Sequence, residues 1–194
     1  WALTFPDSKV SLFFPPHAVL LCTLLFVPVR HWWAYTLAAA GDLSGKRIVV
    51  TAGPTWEPID PVRFVGNRST GKMGFAVAAE AFARGAAVTL VVGPGTLEPP
   101  IGPAVTRVTT ADEMRRAVLA AAPNADAVVM AAAVADFRPE TTADAKIKKE
   151  LGPPQVHLVP TPDILAELGS VPGTVLVGFA AETQDVEASG REKL

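Results

Sequence analysis

Cysteine and histidine are scarce in this chain of 194 residues, and their scarcity excludes two kinds of site. Cys22 is the single cysteine, so no disulfide can form within the chain, whereas small secreted proteins depend on such bonds. Only three histidines accompany it, which leaves too few ligands for a structural zinc site. The sequence therefore predicts a protein of a reducing compartment, the cytoplasm.

The chain also lacks an excess of positive charge and a long hydrophobic run. Seventeen Lys and Arg against nineteen Asp and Glu give a net charge of −2, which is unfavourable for non-specific binding to nucleic acid. The apolar run over residues 18–29 is shorter than the roughly 20 residues of a membrane-spanning helix. Hydrophobic residues make up 49% of the chain, enough for the packed core of one ordinary domain.

Aromatic residues make up only 7% of the chain and are unevenly spread. Most of them lie in residues 1–40, which carry few charged residues, and this shift predicts a boundary near residues 38–41. We expect residues 1–40 to lie outside the fold and residues 41–194 to form the domain. Two interpretations of the first segment stay open: a membrane anchor or signal-like segment, or a remnant foreign to the domain. Its prolines favour the second, since they interrupt the helix that a membrane span must keep.

From residue 41 onward, β-branched runs alternate with amphipathic segments. Strands are predicted over residues 48–52, 88–92, 126–134 and 175–179. Helices are predicted from a cap at Ser69 or Thr70 to Arg84, from a capping box of Thr110 and Glu113 to about 122, over 164–168 behind Thr161, and again from about 185. This alternation predicts an α/β, three-layer Rossmann-like fold with a mostly parallel sheet. Such sheets bind ligands beyond the carboxyl ends of their strands.

The segments that follow the first predicted strand carry candidate phosphate contacts. Residues 51–60 form a loop of small and turn residues whose backbone N–H groups could meet a phosphate, although an ordinary tight turn explains them equally well. Residues 66–73 match the spacing of a P-loop but place Met73 where the magnesium-binding hydroxyl belongs. What remains is a group of donors at a helix N-terminus, which favours an anion; the alternative is a well-capped helix.

Two further segments suggest ligand contacts. Small residues over 130–135 would let a flat ligand approach the backbone, and Asp136 could accept a hydrogen bond from a ribose hydroxyl or a base amine. The alternative for Asp136 is an Asx-turn. Lys146, Lys148 and Lys149 lie in a predicted exposed loop, which could close over phosphates or could be an ordinary solvated charge run. His157 is expected at a surface or at the edge of a pocket.

Six strings, taken in order, resemble the phosphopantothenate-cysteine ligase family over about residues 42–194. They are TAGPTWEPID, GNRSTGKMG, MAAAVADFRP, KIKK, PTPDIL and VGFAAET. The resemblance implies a ligation of 4′-phosphopantothenate with cysteine that consumes CTP, requires Mg²⁺ and passes through an acyl-cytidylate, in a homodimer. Asn67 matches the asparagine that contacts this intermediate, and Lys146 matches the lysine over the phosphates. By the same matching, the nucleotide contacts are Gly53, Met130, Ala131, Ala132, Asp136, Pro162, Asp163, Ile164, Leu165, Phe179 and Lys193.

Departures from the family pattern bear on these expectations. Thr70 replaces a serine and keeps the hydroxyl, whereas Gly66 stands where the family often has serine. The family's remaining C-terminal part is expected to be missing after Lys193, so the fold is expected to be C-terminally truncated. No protein ligand for Mg²⁺ is assigned. The alternative function is a non-catalytic nucleotide-binding or assembly fragment. The ligase interpretation requires Asn67, Asp136, Lys146 and Phe179 to surround one cavity.

Overall fold

The computed structural model describes residues 2–4, 11–13 and 41–179, and the structural statements below concern these residues. Its strands and α-helices follow in chain order: β1 (Ala2–Thr4), β2 (Ser11–Phe13), β3 (Arg47–Ala52), β4 (Trp56–Pro58), β5 (Phe64–Gly66), α1 (Lys72–Ala83), β6 (Ala87–Val92), β7 (Ala104–Arg107), α2 (Ala111–Ala121), β8 (Ala127–Met130), β9 (Phe137–Pro139), β10 (Leu158–Pro160), α3 (Ile164–Leu168) and β11 (Val175–Gly178). No helix in these ranges has the length and apolar character to cross a bilayer.

A five-stranded parallel sheet is the centre of the fold, with strands in the order β11, β8, β3, β6, β7. β3 and β6 are β-branched and largely buried, as central parallel strands must be. The predicted α/β fold with its parallel sheet is therefore confirmed. β7 was not predicted, because all residues of this four-residue edge strand are exposed and therefore carry little hydrophobic pattern.

Helices cover both faces of the sheet. Consecutive residues of a strand point to opposite faces, so Val50 packs with Ala78 and Ala81 of α1 on one side, and Val49 packs on the other. The second core contains residues of α2 and α3: Met114, Val118, Ile164 and Leu168. The molecule is thus built of three layers, helix, sheet and helices, as predicted.

Two short antiparallel hairpins extend from the sheet. β4 pairs with β5, and the rings of Trp56 and Phe64 stack on this hairpin with centroids 4.3 Å apart. β9 pairs with β10. Neither hairpin was predicted, because strands of three residues are too short to show a readable periodicity.

Several predicted boundaries and caps are corrected by the structure. The strand predicted over 126–134 ends at Met130, and the strand predicted as buried over 175–179 is mostly exposed. Thr161 does not cap α3; the side chain of Asp163 does, by accepting from the N–H of Ala166 at 3.0 Å. The predicted capping box of α2 is confirmed. The domain boundary stays a prediction, and the helix predicted from about 185 lies outside the described residues.

Candidate functional site

The loops that follow β3 and β8 meet at the carboxyl edge of the sheet. β8 and β6 lie on opposite sides of β3, so the chain reverses its direction across the sheet here, which is where open α/β sheets bind ligands. Ala133 donates its N–H to the carbonyl oxygen of Gly53 at 2.9 Å, and Ala132 donates to the Thr51 hydroxyl at 3.0 Å. Beyond Met130, the strand predicted for residues 131–134 is thus reduced to a single parallel bridge between Pro54 and Ala133, and these bonds bring small residues to the edge.

Helix α1 begins directly against this edge. Gly71 is its N-cap, with φ of 76°, and a side chain there would lie 3.2 Å from the nitrogen of Gly53. The prediction that Ser69 or Thr70 caps the helix is wrong, since no side chain caps it; Ser69 instead accepts from the N–H of Gly71 at 3.3 Å. The first N–H groups of α1 therefore face the edge without a side-chain cap, an arrangement favourable to an anion.

Asn67 lies one residue beyond β5, at the base of the β4–β5 hairpin. Its side-chain nitrogen Nδ2 donates to the carbonyl oxygen of Val134 at 2.8 Å. This bond joins the hairpin to the loop after β8 and fixes the direction of the amide. The residue is otherwise exposed, so its amide oxygen remains available to a ligand at the edge.

The residues before α3 reach the same edge from the β11 side. Thr161 donates its hydroxyl to the carbonyl oxygen of Ala135 at 2.6 Å and its N–H to that of Asp136 at 3.0 Å. The side chain of Asp136 is exposed, and so is that of Phe179. Met130 at the end of β8 pairs with Gly178 at the end of β11. A Cβ atom at Gly178 would lie only 2.7 Å from the side chain of Leu165.

Lys146 is exposed and lies at the other end of the hairpin from Asn67. Asp60, in the hairpin's turn, accepts the N–H of Ile147 at 3.2 Å, so the segment with Lys146 is attached to this turn. Three strand residues, roughly 10 Å of extended chain, separate the turn from the base. Lys146 is therefore attached to the same hairpin as Asn67, but not beside it.

The structure brings together many of the predicted residues but does not enclose them. A cavity of about 600 Å³ includes Pro162 among its lining residues, and one of about 180 Å³ is lined in part by His157, which is exposed, as predicted. Neither cavity is lined by Asn67, Asp136, Lys146 or Phe179, so the expected common cavity is not one of these two. The edge described above is open to solvent. Lys193 lies outside the described residues.

Three buried polar residues that support the site were missed. Thr55 accepts the N–H of Ala135 at 2.9 Å, and Glu57 accepts that of Ala111, at the start of α2, at 2.8 Å. Asp60 holds its own turn and the segment with Lys146. The spacing from Asp60 to Arg63 is a readable Asx-turn signal, whereas the partners of Thr55 and Glu57 lie 80 and 54 residues away and leave no local pattern.

The described part of the chain offers no cluster of three or more His, Cys, Asp or Glu side chains that could hold a metal ion. Two carboxylates near the site have other partners, since Glu57 holds α2 and Asp60 pairs with Arg63 at 2.9 Å, whereas the side chain of Asp136 is exposed. These residues therefore do not fit a resident magnesium site.

The fold defines an α/β protein of the Rossmann-like class, whose members bind ligands at the switch point of the sheet. Within that class, residues 43–194 match the family described as DNA/pantothenate metabolism flavoprotein C-terminal domain, and the chain belongs to this family.

Relatives and solved structures agree with this assignment. The chain is 52% identical over 153 residues to the coenzyme A biosynthesis bifunctional protein CoaBC of Mycobacterium tuberculosis strain H37Rv, covering 74% of this chain and 37% of that protein. The crystal structure of a CoaBC C-terminal domain matches with a TM-score of 0.71 and 44% identity, over 80% of this chain and 74% of that one.

One more distant structure shares the fold. A Cab2 mutant in complex with phosphopantothenate-cysteine matches with a TM-score of 0.63 at 18% identity, over 91% of this chain and 76% of that one. The present chain spans less than half the length of the curated CoaBC proteins it matches, 37% and 39% in two of them.

Proposed function

We propose that this domain is a ligase that joins 4′-phosphopantothenate to cysteine and uses CTP to activate the acid. The observation that carries the proposal is the edge at the switch point, where Asn67 is bonded to the loop after β8 and the uncapped start of α1 lies against Gly53. The names of the CoaBC relatives support a role in coenzyme A biosynthesis.

The first proposed step activates a carboxylate, which is a poor acylating agent. A carboxylate oxygen of 4′-phosphopantothenate attacks the α-phosphorus of CTP, a new P–O bond forms, and the bond to pyrophosphate breaks. Two anions must approach each other for this step, so compensating donors are needed. The N–H groups at the start of α1 and the ammonium of Lys146 would supply them.

The second proposed step transfers the acyl group. The amine of cysteine attacks the acyl carbon of the acyl-cytidylate, CMP leaves with the electrons of the C–O bond, and the amine loses a proton. Asn67 is suited to orient the intermediate, because its Nδ2 is held by the oxygen of Val134 and its amide oxygen therefore has a fixed direction. It contributes position and hydrogen bonding and takes no proton.

The nucleotide is proposed to lie between Met130–Ala132 and the start of α3, with Asp136 and Phe179 beside it. Pairing of Met130 with Gly178 brings the ends of β8 and β11 to one level, which supports this placement. The magnesium ion that such a reaction requires is proposed to arrive with CTP. Contacts of Lys193, the homodimer and a cytoplasmic location remain predictions.

Calorimetric titration of the full-length protein with CTP and with ATP tests the nucleotide choice. The proposal predicts tighter binding of CTP and formation of the amide product when phosphopantothenate and cysteine are added. A protein that binds both nucleotides alike and makes no product would instead be a non-catalytic nucleotide-binding module, the alternative function.

A further inference from the structure

Asp60 is a buried carboxylate to which the proposed reaction has assigned no role. Its side chain is 0% exposed, although burying a charge without partners is very costly. Oδ1 accepts the N–H groups of Val62 and Arg63, both at 2.8 Å. Oδ2 accepts Nη1 of Arg63 at 2.9 Å and the N–H of Ile147 at 3.2 Å. The two oxygens therefore have different tasks.

Oδ1 closes the turn of the β4–β5 hairpin, whereas Oδ2 reaches a segment more than 80 residues further along the chain. The N–H of Ile147 belongs to the planar peptide group that joins it to Lys146, so this bond fixes the backbone directly at the lysine. Arg63 adds a second contact, because its Nη2 donates to the carbonyl oxygen of Ile147 at 3.2 Å. Both polar backbone groups of Ile147 are thereby held.

Two flanking bonds attach the same segment to the strand before the turn. Thr142 donates its hydroxyl to the carbonyl oxygen of Pro58 at 3.0 Å, and Ala143 donates its N–H to that of Ile59 at 2.9 Å. Residues 140–148 form no helix or strand, so these contacts, rather than a ladder of backbone bonds, set the position of Lys146.

We propose that Asp60 and Arg63 are positioning residues for Lys146: they fix the peptide beside the lysine so that its ammonium reaches the phosphates of the bound nucleotide. The inference rests on the proposed function, since it assumes that Lys146 acts on the phosphates.

The charge of Asp60 is compatible with this task at neutral pH. Burial alone would raise the pKa of Asp60, but the N–H groups of Val62, Arg63 and Ile147 and the charge of Arg63 together lower the pKa below its usual 3.8. Asp60 is therefore ionised at neutral pH and can accept from all four donors.

Asp60→Asn separates the two tasks. The amide oxygen can take the place of Oδ1 and keep the turn, whereas the amide NH₂ in place of Oδ2 would face two donors and release Ile147. Asp126→Asn is the matched control, since Asp126 also accepts a backbone N–H, that of Arg47 at 2.8 Å, and an ammonium, but lies at the opposite edge of the sheet.

Hydrogen exchange in the full-length protein measures, without any substrate, how firmly the segment with Lys146 is held. We expect faster exchange over residues 143–148 in Asp60→Asn and unchanged exchange there in Asp126→Asn. Equal exchange in both variants would overturn the inference. If Asp60→Asn does not fold, Arg63→Lys replaces it, because the lysine keeps the ion pair with Asp60 but lacks the fork that reaches Ile147.

Turnover with CTP measures the effect on catalysis when Lys146 is no longer positioned. Asp60→Asn is expected to lower kcat roughly 10- to 100-fold, as misplacement of a catalytic group does, with a smaller change in KM for CTP. Adding Asp60→Asn to Lys146→Gln is expected to cause no further loss, whereas Asp126→Asn is expected to combine additively with Lys146→Gln. Additive loss from Asp60→Asn would overturn the inference. Full activity of Lys146→Gln alone would instead contradict the role that the proposed function gives to the lysine.

Discussion

At the scale of single residues, the site depends on side chains whose task is to hold backbone. Thr51 at the end of β3 bonds to Ala132, Thr55 just after it bonds to Ala135, and Asn67 just after β5 bonds to Val134, so three side chains hold the loop after β8. Each bond contributes on the order of 1 kcal/mol, and each would leave an unpaired buried or half-buried group if removed. Geometry at the edge is therefore set by a few identifiable atoms.

Asn67→Asp tests the most exposed of these contacts. A carboxylate has no hydrogen to donate to the oxygen of Val134, so the side chain is expected to turn away from its present direction. We expect turnover to fall roughly 10- to 100-fold with nearly unchanged affinity for CTP. Steady-state kinetics and calorimetry measure the two quantities. Asn124→Asp, the same substitution at an exposed residue just before β8, is the control and should leave both unchanged; equal loss of CTP affinity in Asn67→Asp would contradict the role given to Asn67.

The roles of residues that depend on their neighbours in the sequence could be predicted. The roles of residues whose hydrogen-bond partners are distant in the sequence could not. The capping box at Thr110 and the exposure of Lys146 were predicted from their neighbours alone. The task of Glu57 depends on Ala111, which only the folded chain brings within 2.8 Å. Asn67 was selected by its resemblance to a family motif, and its bond to Val134 was not predictable from spacing.

At the scale of elements, the position of α1 against β3 decides where its N-terminus points. Gly74 faces β3 so closely that a Cβ atom would lie 2.6 Å from both Cβ of Ala52 and the carbonyl oxygen of Thr51. The small residues of this helix allow that approach. Its N–H groups consequently reach Gly53 and the edge, which connects the packing of an element to the proposed binding of phosphate.

Gly74→Ala is expected to destabilise the protein by about 1–3 kcal/mol, because the neighbouring atoms are backbone and a methyl group and cannot rotate away. Urea unfolding measures this change. Gly95→Ala is the matched control: a Cβ atom there would meet nothing within 4 Å, so we expect a change below about 0.5 kcal/mol. Equal stability of the two variants would mean that α1 does not pack on β3 as described.

Elements with a continuous apolar face were predicted, as were the shorter β8, β11 and α3, whereas the two hairpins of three-residue strands were not. Four elements are six to twelve residues long and bury a continuous apolar face: β3, β6, α1 and α2. The spacing of their apolar residues could therefore be recognised in the sequence. The hairpins β4–β5 and β9–β10 consist of three-residue strands whose positions depend on tertiary contacts such as the stacking of Trp56 on Phe64. These hairpins carry Asn67 and border Asp136, so the least predictable elements are those nearest the site.

At the scale of the whole molecule, ion pairs join parts that are distant in sequence. Arg115 of α2 binds both carboxylate oxygens of Glu167 in α3, at 2.7 and 2.9 Å from Nε, and thereby ties the two helices of one layer together. Lys46 pairs with Asp126 at 3.0 Å, next to the start of β8. Because these partners favour the ionised carboxylates, protonation of the carboxylates in acid is expected to weaken the fold.

Acid is expected to weaken the fold through such groups. The N–H of Arg47, and then the Lys46 ammonium, lower the pKa of Asp126 below its usual 3.8, and the Arg115 guanidinium lowers the pKa of Glu167 below its usual 4.5. Their contribution is present above those usual values and is lost as the pH falls through the lowered pKa of the folded state.

Urea titrations between pH 7 and pH 3 measure this dependence. We expect little change in the free energy of unfolding down to about pH 5 and a fall below about pH 4. Asp126→Asn should be less stable at neutral pH and show a shallower fall. An unchanged slope in Asp126→Asn would contradict the assignment of acid sensitivity to this carboxylate.

The central claim is that the edge of the parallel sheet lets CTP activate a carboxylic acid before cysteine takes part. The most direct measurement is the release of pyrophosphate from CTP by the full-length protein in the presence of 4′-phosphopantothenate and the absence of cysteine. The account predicts pyrophosphate release that requires phosphopantothenate, with CMP appearing only after cysteine is added. Release that is independent of phosphopantothenate, or none with CTP at all, would contradict it.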